Sequence, residues 1–165
     1  TIMAHCVYSD EAERAAIKEA GVWAVHCPDS NNNIASGIAP LRKMLEEGLN
    51  VALGSDIAGG AKLSMTDVAT QAIRLSKLRW LESGKQEAFL TVREAFYLIT
   101  TAGQAYFGAQ PGFGVGEPLH AVVFSDGKFA YNPGLSLEER LERVLYLADK
   151  STITAVYSAG GQAEL

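Results

Sequence analysis

The chain has 165 residues, of which 48% are hydrophobic and 20% charged, enough to bury a domain-sized core and too apolar for a disordered segment. Its net charge of −5, with no basic run, argues against nucleic acid or an anionic membrane surface as a partner and leaves a small neutral or polar molecule open. No apolar run approaches the ~20 residues that span a bilayer, and the two cysteines, Cys6 and Cys27, suit a reduced, cytoplasmic setting better than a disulfide framework.

Taken in chain order, Thr1 to Cys6 reads as a short apolar strand, and Ser9-Asp10-Glu11 supplies an N-cap with acidic residues where a helix dipole favours them. Ala12, Ala15, Ala16, Ile17 and Ala20 give that helix an apolar side, and Gly21 suits its end. Val22 to Val25 repeats the strand pattern. A polar loop, Pro28 to Asn33, is expected next, then a helix through Leu41, Met44 and Leu45 that stops at Gly48. Val51-Ala52-Leu53 is a third strand, running into Gly54-Ser55-Asp56 and a Gly59-Gly60 turn.

Three short strands alternating with helices predict parallel βα units, since neighbouring parallel strands need a crossover between them. The expected fold class is therefore α/β. Ser64 to Trp80 has helical spacing through Val68, Ala72, Leu75 and Leu78, and Thr91-Val92-Arg93-Glu94 is a capping box opening a further helix. From residue 112 the texture changes to Gly, Pro and short β-type runs. Ala121 to Phe124 and Thr152 to Tyr157 read as strands, with a helix opened by the capping box Ser136-Leu137-Glu138-Glu139 between them. This divides the chain into 1–111, carrying the βα units, and 112–165, a β-rich segment.

Each early strand ends on a residue capable of chemistry: His5, His26 and Asp56. In a (β/α)₈ barrel the active site is built from such strand ends. The chain has three histidines and no His-x-His or His-Glu-x-x-His spacing, so a complete histidine-rich zinc site does not emerge from pattern. A lone interior histidine is more often a hydrogen-bonded core imidazole. Asp56, flanked by glycines at a strand end, needs a partner to offset desolvation: a metal, a charged substrate, or a cap on the following turn. Spacing does not choose among them. Pro28-Asp29-Ser30-Asn31 reads foremost as turn chemistry. His26 and Cys27 point to opposite faces as strand neighbours, which disfavours a thiolate nucleophile. Gly59-Gly60 and Gly112 to Gly116 match no phosphate-binding loop and read as turns.

Three phrases in order, Met3-Ala4-His5-Cys6, Val25 to Asn31 with Ser36-Gly37, and Leu53 to Gly60, resemble the last three barrel strands of the amidohydrolase superfamily, most closely its guanine deaminases. The helix Glu139 to Asp149 is similar to that family's C-terminal region. The resemblance implies the last three βα units of a metal-dependent (β/α)₈ TIM barrel plus the C-terminal part of a small β-sandwich. It implies Zn2+ as cofactor, with Asp56 as metal ligand and proton shuttle and His5 as the other catalytic residue, hydrogen-bonded to the water or the developing charge. His26 receives no ligand role. Zinc lowers the pKa of bound water from ~15.7 to ~7, which would let hydroxide convert guanine to xanthine and ammonia.

The family's first-strand His-x-His pair, its fifth-strand histidine and its acid/base glutamate have no counterparts here. A chain that opens on Thr1 inside a strand pattern is thus expected to be a piece of a longer protein, inactive by itself, with the missing N-terminal half as its partner. A homodimer is compatible with this but not legible in the sequence. The alternatives are another amidohydrolase acting on a heteroaromatic ring, such as an 8-oxoguanine, adenosine or triazine deaminase or a chlorohydrolase, and a non-catalytic fragment.

Overall fold

The computed structural model describes residues 1–108, 113–130 and 132–164. The chain forms two compact units, Thr1–Ala109 and Gln110–Leu165. The boundary expected between 111 and 112, with Gly112, lies outside the described residues.

The first unit begins with strand β1 (Ile2–Ala4), helix α1 (Glu11–Glu19), strand β2 (Trp23–His26), helices α2 (Pro28–Asn33) and α3 (Leu41–Glu46), and strand β3 (Asn50–Leu53). The strands form one parallel sheet in the order β1-β2-β3, with Met3 opposite Ala24 and Ala24 opposite Val51. Helices cross between successive strands, as parallel pairing requires. Asp10 caps α1 in a full capping box with Glu13, one residue later than the Ser9 that opens the polar run, and Gly21 takes the left-handed conformation just past its end at φ +62°.

The Pro28 to Asn33 stretch, expected as a loop, is helical. Pro28 occupies the first turn, where its fixed φ suits a helix and its missing N–H costs nothing. The side chains of Asp29, Ser30, Asn31 and Asn33 bond to other segments and so do not compete with the helix for its own backbone.

Helix α4 (Met65–Glu82), capped by Ser64, buries Val68, Ala69, Ala72, Ile73 and Leu75. Leu78, read as part of that stripe, is half exposed, since the buried face ends a turn earlier. Helix α5 (Val92–Ile99) opens on the expected Thr91/Glu94 capping box, and α6 (Thr101–Tyr106), which the sequence reading did not separate, follows a backbone break at Thr100. Helix α4 packs on α2 and α5, and α5 and α6 pack on β3. The core thus lies between the sheet and these helices, with Met44, Val51, Ile73, Leu90 and Leu98 nearly inaccessible.

The second unit contains β4 (Ala121–Phe124), α7 (Leu137–Leu147), β5 (Ile153–Ser158) and β6 (Gly161–Ala163). Its strands form an antiparallel sheet in the order β4-β5-β6, with a register shift between Val123 and Phe124. Ser136 caps α7 in the capping box read from sequence. Gly161 begins β6.

Candidate active site

His5 lies one residue past β1 and Asp56 three residues past β3, at the same end of a parallel sheet in which β2 separates their strands. The ladder runs slightly beyond the strands, through His5 N–H donating to Val25 O at 2.8 Å and Gly54 N–H to His26 O at 2.9 Å. The chain then turns sharply. His5, Cys6 and Asp56 adopt φ of +69°, +47° and +44°. That left-handed region costs a non-glycine residue roughly 1–2 kcal/mol, although His and Asp tolerate it better than most. Strain of this kind persists where surrounding structure enforces it and concentrates at functional sites.

The consequence is a close approach of two side chains from non-adjacent strands. His5 Nε2 lies 3.8 Å from Asp56 Oδ2, and the side chains are 40% and 41% exposed. A solvent molecule or ligand therefore has access to both. The turn after Asp56 is closed by its backbone carbonyl, which accepts from Gly60 N–H at 2.7 Å. Its carboxylate faces Ser30 and His5 instead, so the capping role that the sequence left open is taken by the main chain.

Helix α2, directly after β2, sits against both residues. Ser30 Oγ donates to Asp56 Oδ2 at 2.6 Å, and His5 Nδ1 pairs with Asn31 Oδ1 at 2.8 Å. With Asn31 presenting its carbonyl oxygen, which only accepts, the contact matches a proton on His5 Nδ1 and a bare Nε2; the Asn31 Nδ2 has no hydrogen-bond partner among the described residues. Asp29 Oδ2 accepts from Ala61 N–H at 2.6 Å and Asn33 Nδ2 donates to Gly59 O at 2.8 Å, pinning the Asp56 loop to the same helix. Sequence reasoning missed Ser30 and Asn31. The available signal was an unbroken polar run, Asp29 to Asn33, directly after a buried strand.

The other candidates fall outside the pair. His26 is 3% exposed, and burial, reinforced by nearby His5, lowers its pKa to about 4, so it is a neutral core imidazole. Its Nδ1 has no hydrogen-bond partner among the described residues. Burial, and next the charge of Asp56, raise the Cys27 thiol to about 11, which removes it as a nucleophile. His120 belongs to the second unit, where its Nδ1 accepts from Ala159 N–H at 3.4 Å. A cavity of about 390 Å³ is lined by neither His5 nor Asp56, and its cations Arg14, Lys43 and Arg79 are paired with Glu47 and Glu87.

Among the described residues no three His, Cys, Asp or Glu side chains are grouped to hold a metal ion. An imidazole nitrogen and a carboxylate at 3.8 Å are donors of the kind zinc takes, but catalytic zinc uses three protein ligands plus water. His5 and Asp56 fit as part of such a site and not as a whole one.

Comparisons with known proteins bear on that incompleteness. The pattern of the amidohydrolase family matches residues 1–162. The chain is 31% identical to guanine deaminase of Dictyostelium discoideum over 98% of its own length and 37% of that protein's. It superimposes on the crystal structure of guanine deaminase from C. acetobutylicum with bound guanine at a TM-score of 0.93 and 44% identity, covering 98% of this chain and 38% of that one. An adenosine deaminase from Xanthomonas campestris with bound zinc gives 0.82 at 25% identity, covering 98% and 36%. The chain thus spans well under half the length of the proteins it matches.

Proposed function

Because the chain belongs to the amidohydrolase family, we propose that it supplies one part of the active site of a zinc-dependent deaminase converting guanine and water to xanthine and ammonia. The juxtaposition of His5 Nε2 and Asp56 Oδ2 at the carboxyl ends of parallel strands carries this reading. The guanine-bound relative at 44% identity supports the choice of substrate over other heteroaromatic rings. On this reading Thr1–Ala109 contributes the last three βα units of a (β/α)₈ barrel, and the antiparallel unit contributes the C-terminal part of a β-sandwich. Edge strand β1 leaves Ile2 and Met3 46% and 44% exposed, an apolar margin that further strands would cover. The partner is an N-terminal part bearing the remaining ligands.

Zinc, when bound, supplies a water acidic enough to ionise near neutral pH. Asp56 would hold the metal and take the proton of the attacking water. As the exocyclic C–N bond breaks, Asp56 returns that proton to the leaving amine, which departs as ammonia. His5, proton on Nδ1, would present Nε2 to the attacking water and fix its orientation.

The test is Asp56→Ala in the chain assembled with its N-terminal part, read by metal analysis and ammonia release. Loss of both is expected, because one ligand and the proton carrier disappear together. Wild-type turnover at full zinc occupancy would remove Asp56 from the site.

A further inference from the structure

Helix α2 carries no ligand in this reading, yet four of its six side chains end on the two loops that hold His5 and Asp56. Two of them touch the site residues themselves. Ser30 is 1% and Asn31 0% exposed, so each contact is buried on the helix side while its partner, Asp56 or His5, keeps an open face. A part-buried hydrogen bond fixes its partner more firmly than the same bond at the surface.

Resting on the reading of His5 and Asp56 given above, we infer that Ser30 and Asn31 are positioning residues for that pair. Ser30 donates its hydroxyl proton to Asp56 Oδ2, the oxygen that also faces His5, and so fixes the rotation of the carboxylate. Asn31 accepts the Nδ1 proton of His5 and selects the tautomer whose Nε2 is a bare acceptor. Without Asn31 the neutral imidazole could carry its proton on either nitrogen, and the Nε2–H form would offer a donor where the site uses an acceptor.

The glycine pair opposite the helix gives independent support. A Cβ at Gly59 would lie 2.6 Å from Ser30 Oγ and 2.8 Å from Asp56 Oδ2, and one at Gly60 would lie 2.6 Å from Ser55 O and 3.3 Å from Ser30 N. The Asp56 loop is therefore shaped to admit α2 at hydrogen-bond distance, and the opening is closed by one methyl group.

The experiment labels this chain with 15N-histidine, assembles it with its unlabelled N-terminal part, and records the three imidazoles without metal at alkaline pH, His5 being assigned from His5→Gln. Wild-type His5 is expected as the Nδ1–H tautomer, Asn31→Leu as a mixture, and Asn31→Asp, which keeps the acceptor, as Nδ1–H again. An Nε2–H tautomer in the wild type overturns the inference whatever the activity. With zinc, Asn31→Leu should lower kcat about 10- to 100-fold at unchanged KM and metal stoichiometry, and Ser30→Ala should weaken zinc affinity by a similar factor. Gly59→Ala, which keeps every polar group and avoids a buried truncation, should reproduce the Ser30→Ala loss of affinity. Wild-type kcat and zinc affinity in all three, beside an inactive Asp56→Ala, refute positioning and leave the proposed function standing. An active Asp56→Ala refutes the proposed function, and the tautomer then decides the role of Asn31 alone.

Discussion

The ion pair between Arg42 and Glu94 offers a quantitative test of how the scaffold around the site is held. Arg42, on α3, meets Glu94 in a fork, Nη1 to Oε1 at 2.8 Å and Nη2 to Oε2 at 2.9 Å, and also donates to the carbonyls of Ala88 and Phe89. Glu94 at the same time closes the α5 capping box by accepting from Thr91 N–H at 2.8 Å. One carboxylate therefore ties α3 to the start of α5, which packs on β3 beneath the Asp56 loop. The Arg42 guanidinium, opposed by burial and joined by the hydrogen bonds from Thr91, lowers the Glu94 pKa from 4.5 to about 2. At ~1.36 kcal/mol per pH unit that drop sets a ceiling of about 3.4 kcal/mol on its contribution to stability. The Glu94 side chain is 35% exposed, so solvent screening reduces this to about 1–2 kcal/mol. A depressed carboxylate contributes fully above its unfolded pKa and loses that contribution as pH falls through the folded one, here between 4.5 and about 2. Glu94→Gln should cost about 1–2 kcal/mol at neutral pH, and the gap to wild type should shrink by more than half by about pH 3. Urea unfolding followed by tryptophan fluorescence measures it, because Trp80 stacks edge-on against Phe89 at 5.5 Å, next to the pair. An equal gap at both pH values would falsify the account by charge and leave only a loss of packing.

Three further outcomes follow from the site and its surroundings. His5→Ala in the assembled protein should lower the rate about 100-fold or more while leaving most zinc bound, since His5 orients water in the proposed mechanism; parallel loss of metal, seen by elemental analysis, would make it a principal ligand. The chain alone should neither retain stoichiometric zinc through gel filtration nor release ammonia from guanine, because it brings one proposed ligand, Asp56, and one water-orienting group, His5, where catalytic zinc takes three protein ligands; one zinc per chain with turnover would overturn the proposed division of the site. Cys27, 3% exposed with its thiol raised to about 11, should resist iodoacetamide near pH 8 until urea unfolds the first unit, as mass spectrometry of the digested protein would show.

Much of the scaffold could be read from residues because local signals and tertiary demands agree there. The capping boxes at Thr91 and Ser136 and the strand Ala121–Phe124 stand where the sequence puts them, each specified by short-range chemistry. Disagreement arises where a signal has two meanings. Pro28-Asp29-Ser30-Asn31 is turn chemistry when those side chains bond their own backbone and helix chemistry when other segments engage them, and composition does not distinguish the cases. Leu78 has the right spacing for the α4 stripe, but the buried face of that helix ends at Leu75. Helix α6 is too short to carry a period and depends on packing against β3.

The candidate site divides along the same line. Asp56 is conspicuous in sequence because a carboxylate between glycines at a strand end needs an electrostatic explanation wherever it occurs. His5 is marked in sequence only by its place at a strand end, since its neighbours on the chain are those of an interior imidazole. Its position is decided by a left-handed turn at φ +69° and by an asparagine 26 residues away. Asn31 in turn reaches His5 only because Pro28 starts a helix at once after β2 instead of letting the chain leave the sheet. The pair is therefore a product of three strand ends acting together: the outer two carry His5 and Asp56, and the middle one leads into the helix that contacts both. A residue-by-residue reading finds the first contribution and misses the second, because a polar side chain pledged to a distant partner looks in sequence like one that faces water.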